Sequence, residues 1–175
     1  MIEQVIFDVD LTLLDSFGWV FAGYQEVARR MELTPPQENS LRELWGKKVP
    51  EIIGGLWPEV EFAKIIPVVM EISRESSPPL IGGVIDALEQ IRQSGLSLGL
   101  LSTTSRDLFE HQLSASGVKL VWFEKIIGGS DTGFRKPDPR VFEIFTEVRT
   151  ADSLAYVGDA MVDLEAARDA RSSDS

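Results

Sequence analysis

The stretch Gln4-Val5-Ile6-Phe7-Asp8-Val9-Asp10-Leu11-Thr12-Leu13-Leu14-Asp15-Ser16 decides the fold. Gln4 to Phe7 read as a short buried strand that ends abruptly in two carboxylates, Asp8 and Asp10. At i and i+2 the two side chains leave the same side of an extended backbone. Like charges that close raise each other's pKa, so the pair persists where a cation neutralises it or where one member keeps a proton for chemistry. Both uses suit phosphoryl transfer. Taken alone, the pair equally fits a helix cap or a solvated loop end, and the other segments have to decide.

Working outward, the pattern after Ser16 becomes helical, with Trp19, Val20, Tyr24 and Val27 on one face and Asp15 or Ser16 placed to cap the start. Thr34-Pro35-Pro36 ends that helix. Further helices are expected over Glu38 to Trp45, Glu51 to Leu56 and Val60 to Glu75, with a break at Gly46-Lys47-Lys48-Val49-Pro50 and a linker at Ser76-Ser77-Pro78-Pro79. The span 17–79 therefore reads as an all-helical insert, and 1–16 with 80–175 as the other domain.

From Ile81 helix and strand alternate. Val84 to Gln93 is amphipathic and closes at Ser94-Gly95, and Leu96 to Leu101 is the continuous apolar run of a strand buried on both faces. Asp107 to Ser116 is expected to be helical, Val121 to Ile127 a strand, Gly128 to Asp138 a loop, and Pro139 to Val148 a helix opened by its proline. Leu154 to Val157 is the next strand, and Met161 to Arg171 the last helix. This alternation predicts an α/β, Rossmann-like parallel sheet, whose ligands bind beyond the carboxyl ends of the strands. Asp8 and Asp10, Ser102, Lys136 and Asp159 all follow such ends.

Composition narrows the classes. With 175 residues the chain can bury a sizeable core, and 43% hydrophobic against 26% charged residues is a globular balance. Cysteine is absent, which removes disulfides and thiolate metal sites and agrees with a reducing, cytoplasmic setting. No signal peptide or membrane span is expected. A net charge of −11, with no basic cluster beyond Lys47-Lys48, opposes nucleic acid as a partner.

The chemistry available to these residues is specific. A carboxylate such as Asp8 can attack phosphorus and split one hard displacement into two easier ones. Asp10 could protonate the leaving oxygen and then activate water. Asp159 and Asp163, one helical turn apart, offer hard oxygen ligands for magnesium. Ser102, with nearby backbone amides, and Lys136 would bind the nonbridging oxygens. Individually, Ser102 also fits a helix cap, Lys136 a solvated loop charge and Asp163 a helix surface. His111 and the four tryptophans, Trp19, Trp45, Trp57 and Trp122, read as structural.

In order, Asp8-Val9-Asp10-Leu11-Thr12, Ser102 after its strand, Arg135-Lys136-Pro137-Asp138-Pro139, and Gly158-Asp159-Ala160-Met161-Val162-Asp163 resemble the four motifs of the haloacid dehalogenase superfamily. Within it the chain is most similar to the phosphoglycolate phosphatase-like group, which carries a helical cap after the first motif. The resemblance implies that Asp8 is the nucleophile and a magnesium ligand, and that Asp10 is the general acid/base with its backbone carbonyl on the metal. It implies that Asp159 is a further ligand, assisted by Asp163 directly or through water. It assigns substrate contacts to the Thr103 backbone amide, where asparagine is frequent in the family, and to Lys47 in the cap.

The expected activity is magnesium-dependent hydrolysis of a small phosphorylated metabolite by a monomer or homodimer. A phosphomutase shares all four motifs, and a truncated, inactive phosphate-binding relative is the noncatalytic alternative. A dehalogenase needs neither Asp10 nor a metal, and the helical insert disfavours a phospho-aspartate receiver. Two departures stand out. Leu11 occupies a usual glycine position, and the run Ala170-Arg171-Ser172-Ser173-Asp174-Ser175 ends where the family continues into a fifth strand. The sheet is expected to lack that strand, leaving the Asp159 strand at an edge.

Overall fold

A computed structural model describes residues 1–173; Asp174 and Ser175 of the terminal run lie outside the described residues. The chain divides into two compact units, Met1–Asp15 together with the stretch from Pro79 onward, and Ser16–Pro78.

The first unit is a doubly covered parallel sheet. Its strands are β1 (Gln4–Phe7), β2 (Ser97–Leu101), β3 (Phe123–Ile127) and β4 (Leu154–Val157), in the spatial order β3-β2-β1-β4 with every pair parallel. Phe7 is in register with Leu100 on one side and Val157 on the other. Among the described residues β1 thus has a neighbour on each flank and β4 lies at an edge, as expected.

Alternation along β1 explains the two covered faces. Val5 and Phe7 join Leu98, Leu100, Phe109 and Leu113 on one side, whereas Ile6 joins Leu101, Phe142 and Phe145 on the other. The helices of this unit are α5 (Val84–Gln93), α6 (Arg106–Ala115), α7 (Glu143–Thr146) and α8 (Met161–Ser173). Gly99 in β2 faces Phe145, and a Cβ there would stand 2.8 Å from the ring, so this glycine is what lets the aromatic pack flat on the sheet.

The chain between β1 and the second unit is pinned to the stretch before α5. Asp15 N–H donates to the Pro79 carbonyl at 2.8 Å, and Ile81 N–H donates to that of Leu13 at 2.9 Å. Entry to and exit from the helical insert are thereby held side by side within the sheet unit.

The second unit comprises α1 (Ser16–Met31), α2 (Glu38–Leu44), α3 (Val49–Leu56) and α4 (Phe62–Glu75) around Tyr24, Leu41, Ile53, Trp57 and Ile65. Trp57 packs edge-on to Tyr24 and donates its indole N–H to the Thr34 carbonyl at 2.9 Å. Arg30 of α1 binds Glu26 on its own helix and Glu71 and Glu75 on α4.

Several boundaries differ from the sequence reading, each for a local reason. Pro50 does not end a helix but sits in the first turn of α3, where its missing N–H would be unsatisfied anyway. Val121 and Trp122 belong to a 3-10 turn before β3. The helix expected over Pro139 to Val148 is a 3-10 turn, Pro139–Phe142, followed by the four residues of α7. Ser16 lies inside α1 rather than capping it, and its buried hydroxyl has no partner.

Candidate active site

The carboxyl ends of β1, β2 and β4 and the loop after β3 deliver the polar residues. Asp8 directly follows β1 and is fixed by its own N–H, which donates to the Val157 carbonyl at 2.8 Å. Ser102 directly follows β2, with its N–H on the Ile127 carbonyl at 3.0 Å. Lys136 comes from the loop after β3, and Asp159 from the turn between β4 and α8. Parallel strands in register therefore bring the four sequence-distant segments to one side of the sheet.

At the centre is an ammonium between two carboxylates. Lys136 Nζ lies 3.1 Å from Asp8 and 2.5 Å from Asp163, and both its side chain and that of Asp163 are almost fully buried. Asp163 lies in the first turn of α8 and is held further by the Ala160 N–H, which donates to Oδ2 at 3.0 Å. A Cβ at Gly158 would collide with this carboxylate, so the glycine of the Gly158-Asp159 pair makes room for it.

Oxygens of Asp8, Asp159 and Asp163 lie within 4.8 Å of one another. Three hard carboxylate donors on two buried residues and one exposed residue suit an oxygen-seeking divalent ion. The electrostatics fit the same description. Burial, with the Asp163 carboxylate adding to it, pushes Asp8 up to about 7 against the pull of Lys136. Burial and the neighbouring Asp163 also raise Asp159. A cation would relieve both.

Asp10 stands apart from that cluster. Its Oδ2 accepts a 2.7 Å hydrogen bond from the Thr104 hydroxyl, while Thr104 N–H donates to Ser102 Oγ at 3.1 Å. Ser102 is buried and caps no helix, because α6 begins only at Arg106. Its hydroxyl instead organises the turn that carries Thr103 and Thr104. That turn is pressed against the loop after β3: Gly129 N–H donates to the Thr104 carbonyl at 2.8 Å, and a Cβ at Gly129 would collide with the Thr103 carbonyl. Leu101, Ser102, Thr103, Gly128, Gly129 and Lys136 line the small depression between the two loops.

Asp8, Asp159, Asp163 and Lys136 are therefore brought together, with Asp10 linked through Thr104 to the Ser102 turn. Lys47 is an exposed residue of the helical unit. Two participants escaped the sequence reading. Thr104 was hidden in a run of four hydroxyl residues, and Tyr156, which bonds both Lys136 and Asp163, in an apolar strand. The signal for Tyr156 was available, since a phenol in a buried strand needs a partner for its hydroxyl.

A phosphoglycolate phosphatase of Rhodobacter capsulatus is 26% identical over 180 residues, covering 97% of this chain and 81% of the relative. One from Synechococcus elongatus is 29% identical over 170 residues, covering 95% of this chain and 79% of its own. Among solved structures, a predicted phosphoglycolate phosphatase from Haemophilus somnus superposes with a TM-score of 0.86 at 19% identity, covering 97% of this chain and 82% of that one. The family model described as haloacid dehalogenase-like hydrolase matches residues 5–173, from β1 to the end of α8, so the chain belongs to that family.

Proposed function

We propose that the chain is a magnesium-dependent phosphatase that hydrolyses a small phosphorylated metabolite, phosphoglycolate-like or a sugar phosphate, through an aspartyl-phosphate intermediate. The observation that carries this reading is the convergence of Asp8, Asp159, Asp163 and Lys136 beyond the strand ends. The names of the curated relatives support the substrate class.

Asp8 Oδ attacks phosphorus, forming one P–O bond as the bond to the leaving oxygen breaks, and Asp10 gives its proton to that oxygen. In the second step Asp10 takes a proton from water, water oxygen bonds to phosphorus, and the bond to Asp8 breaks to release inorganic phosphate. The Ser102 turn, with the Thr103 amide, holds the nonbridging oxygens, and the Lys136 ammonium, whose N–H groups face Asp8, Asp163 and Tyr156, attracts them by its charge. Asp8, Asp159 and Asp163, with the Asp10 backbone carbonyl, would hold magnesium, which supplies charge neutralisation at the transferring group. Lys47 enters as a substrate contact on the resemblance alone. The cysteine-free composition is in keeping with a cytoplasmic setting.

Phosphate release from a generic aryl phosphate tests the reading, with magnesium, with chelator, and with Asp8→Asn. Metal-dependent release abolished in the variant is the expected result. A folded wild-type chain with no turnover on aryl, glycolate or sugar phosphates would sink it, and return of the phosphoryl group to a sugar would make the chain a mutase.

A further inference from the structure

We propose that Tyr156 is a positioning residue whose hydroxyl fixes the rotation of the Lys136 ammonium and the placement of Asp163. This rests on the functional reading above and adds to it a residue that none of the four motifs contains. Lys136 Nζ donates to the Tyr156 hydroxyl at 2.9 Å, and that oxygen lies 3.1 Å from Asp163 Oδ1 and 3.2 Å from the Leu101 carbonyl. An ammonium has three N–H donors. Asp8, Asp163 and Tyr156 take one each, so the head group has no rotational freedom left. The phenol proton, shared between Asp163 and the Leu101 carbonyl, ties this arrangement to the residue just before Ser102.

Packing alone does not require the hydroxyl. The Tyr156 ring stands edge-on to Phe142 with centroids 5.1 Å apart, a contact that phenylalanine would keep. What phenylalanine removes is one acceptor for Lys136 and one donor to Asp163. The ammonium then keeps two partners, and its charge is no longer held at one fixed place beside the phosphoryl oxygens.

A double-mutant cycle on the full chain separates this role from a structural one. Inorganic phosphate is titrated calorimetrically, with magnesium present, into wild type, Tyr156→Phe, Lys136→Met and the double variant. Tyr156→Phe should weaken phosphate binding about 10-fold, the size expected for a group that orients a ligand side chain. It should weaken binding no further once Lys136 is gone. Affinity and not Tm is the deciding readout, because the two side chains share a hydrogen bond and their effects on stability are coupled as well. Equal losses of affinity in both backgrounds, or none in the first, overturn the inference.

The unaltered chain provides a check that does not depend on the variant folding. With each N–H taken by its own acceptor, the Lys136 ammonium protons should exchange slowly enough to be seen by 15N NMR; a freely exchanging ammonium overturns the inference too. Wild-type turnover with Tyr156→Phe unchanged in affinity and kcat removes only the role of Tyr156. Coupled phosphate binding in a wild type without turnover removes only the hydrolytic reading.

Discussion

The Lys136 ammonium lies 2.5 Å from the Asp163 carboxylate, and neither side chain has appreciable contact with solvent. The pair is the interior counterweight to the negative charge gathered at the strand ends. Such a charge is expensive to strand. Lys136→Met leaves Asp8 and Asp163 buried with no cation between them, and should destabilise the metal-free protein by about 3 kcal/mol in urea unfolding. Saturating magnesium should recover part of that loss, since a second cation then faces the same oxygens. Phosphate release should fall by at least about 100-fold.

The pH dependence of the metal-free protein follows from Asp8. Its pKa, pushed up to about 7, exceeds the ordinary 3.8, so between those values the folded chain holds a proton that the unfolded chain has released. Its stabilising contribution is present at the acid end of that window and is lost as the pH rises towards 7. Asp159 is raised and acts in the same direction. In chelator, Tm should be lower at pH 8 than at pH 5.5. Magnesium should flatten or reverse the trend, because it binds the ionised carboxylates and displaces protons. A Tm in chelator that climbs over this interval would contradict the assignment.

Thr104 should matter to chemistry more than to stability. Its hydroxyl orients Asp10 from 2.7 Å, on the turn that Ser102 also organises. Thr104→Val keeps the shape and removes the donor. If Asp10 is the acid/base of the proposed mechanism, steady-state kinetics should show kcat lowered about 10-fold with little change in KM, less than the roughly 100-fold or more for loss of the acid/base itself, since only its orientation is disturbed. A change confined to KM would place Thr104 in substrate binding instead.

Gly129 is a steric requirement. An added methyl would meet the Thr103 carbonyl, which belongs to the backbone and cannot swing aside. Gly129→Ala should cost about 2 kcal/mol or more in chemical denaturation, at the upper end for a surface loop. It should also weaken phosphate binding by displacing the Thr103 amide. Gly133, where a Cβ would meet nothing within 4 Å, is the control expected to tolerate alanine.

Much of this was legible in the sequence because it is periodic or terminal. The run from Val5 to Phe7 and that from Leu98 to Leu101 declare strands buried on both faces, and parallel order follows from the helices between them. Asp8 and Asp159 were then predictable just past strand ends, and Lys136 in the loop after β3. Less legible were features set by tertiary contact. No local pattern tells a 3-10 turn at Pro139–Phe142 from the start of a long helix, because the choice depends on packing against β2 and α8. Leu11 was noticeable only as a residue in a glycine position. Its φ of 55° explains the preference, since the turn after β1 takes the left-handed conformation that costs a side-chain-bearing residue about 1 kcal/mol.

The strand order carries a consequence for how the protein fails on heating. Among the described residues Asp8 issues from β1, hydrogen-bonded along both flanks, whereas Asp159 and Asp163 follow β4, paired along one. Rim segments open locally at lower free energy than the centre. Partial fraying of the β4–α8 corner would release two of the three clustered carboxylates while Asp8 stayed in register. Thermal inactivation should thus begin below the global melt, reversible at first, as a loss of metal affinity rather than of fold.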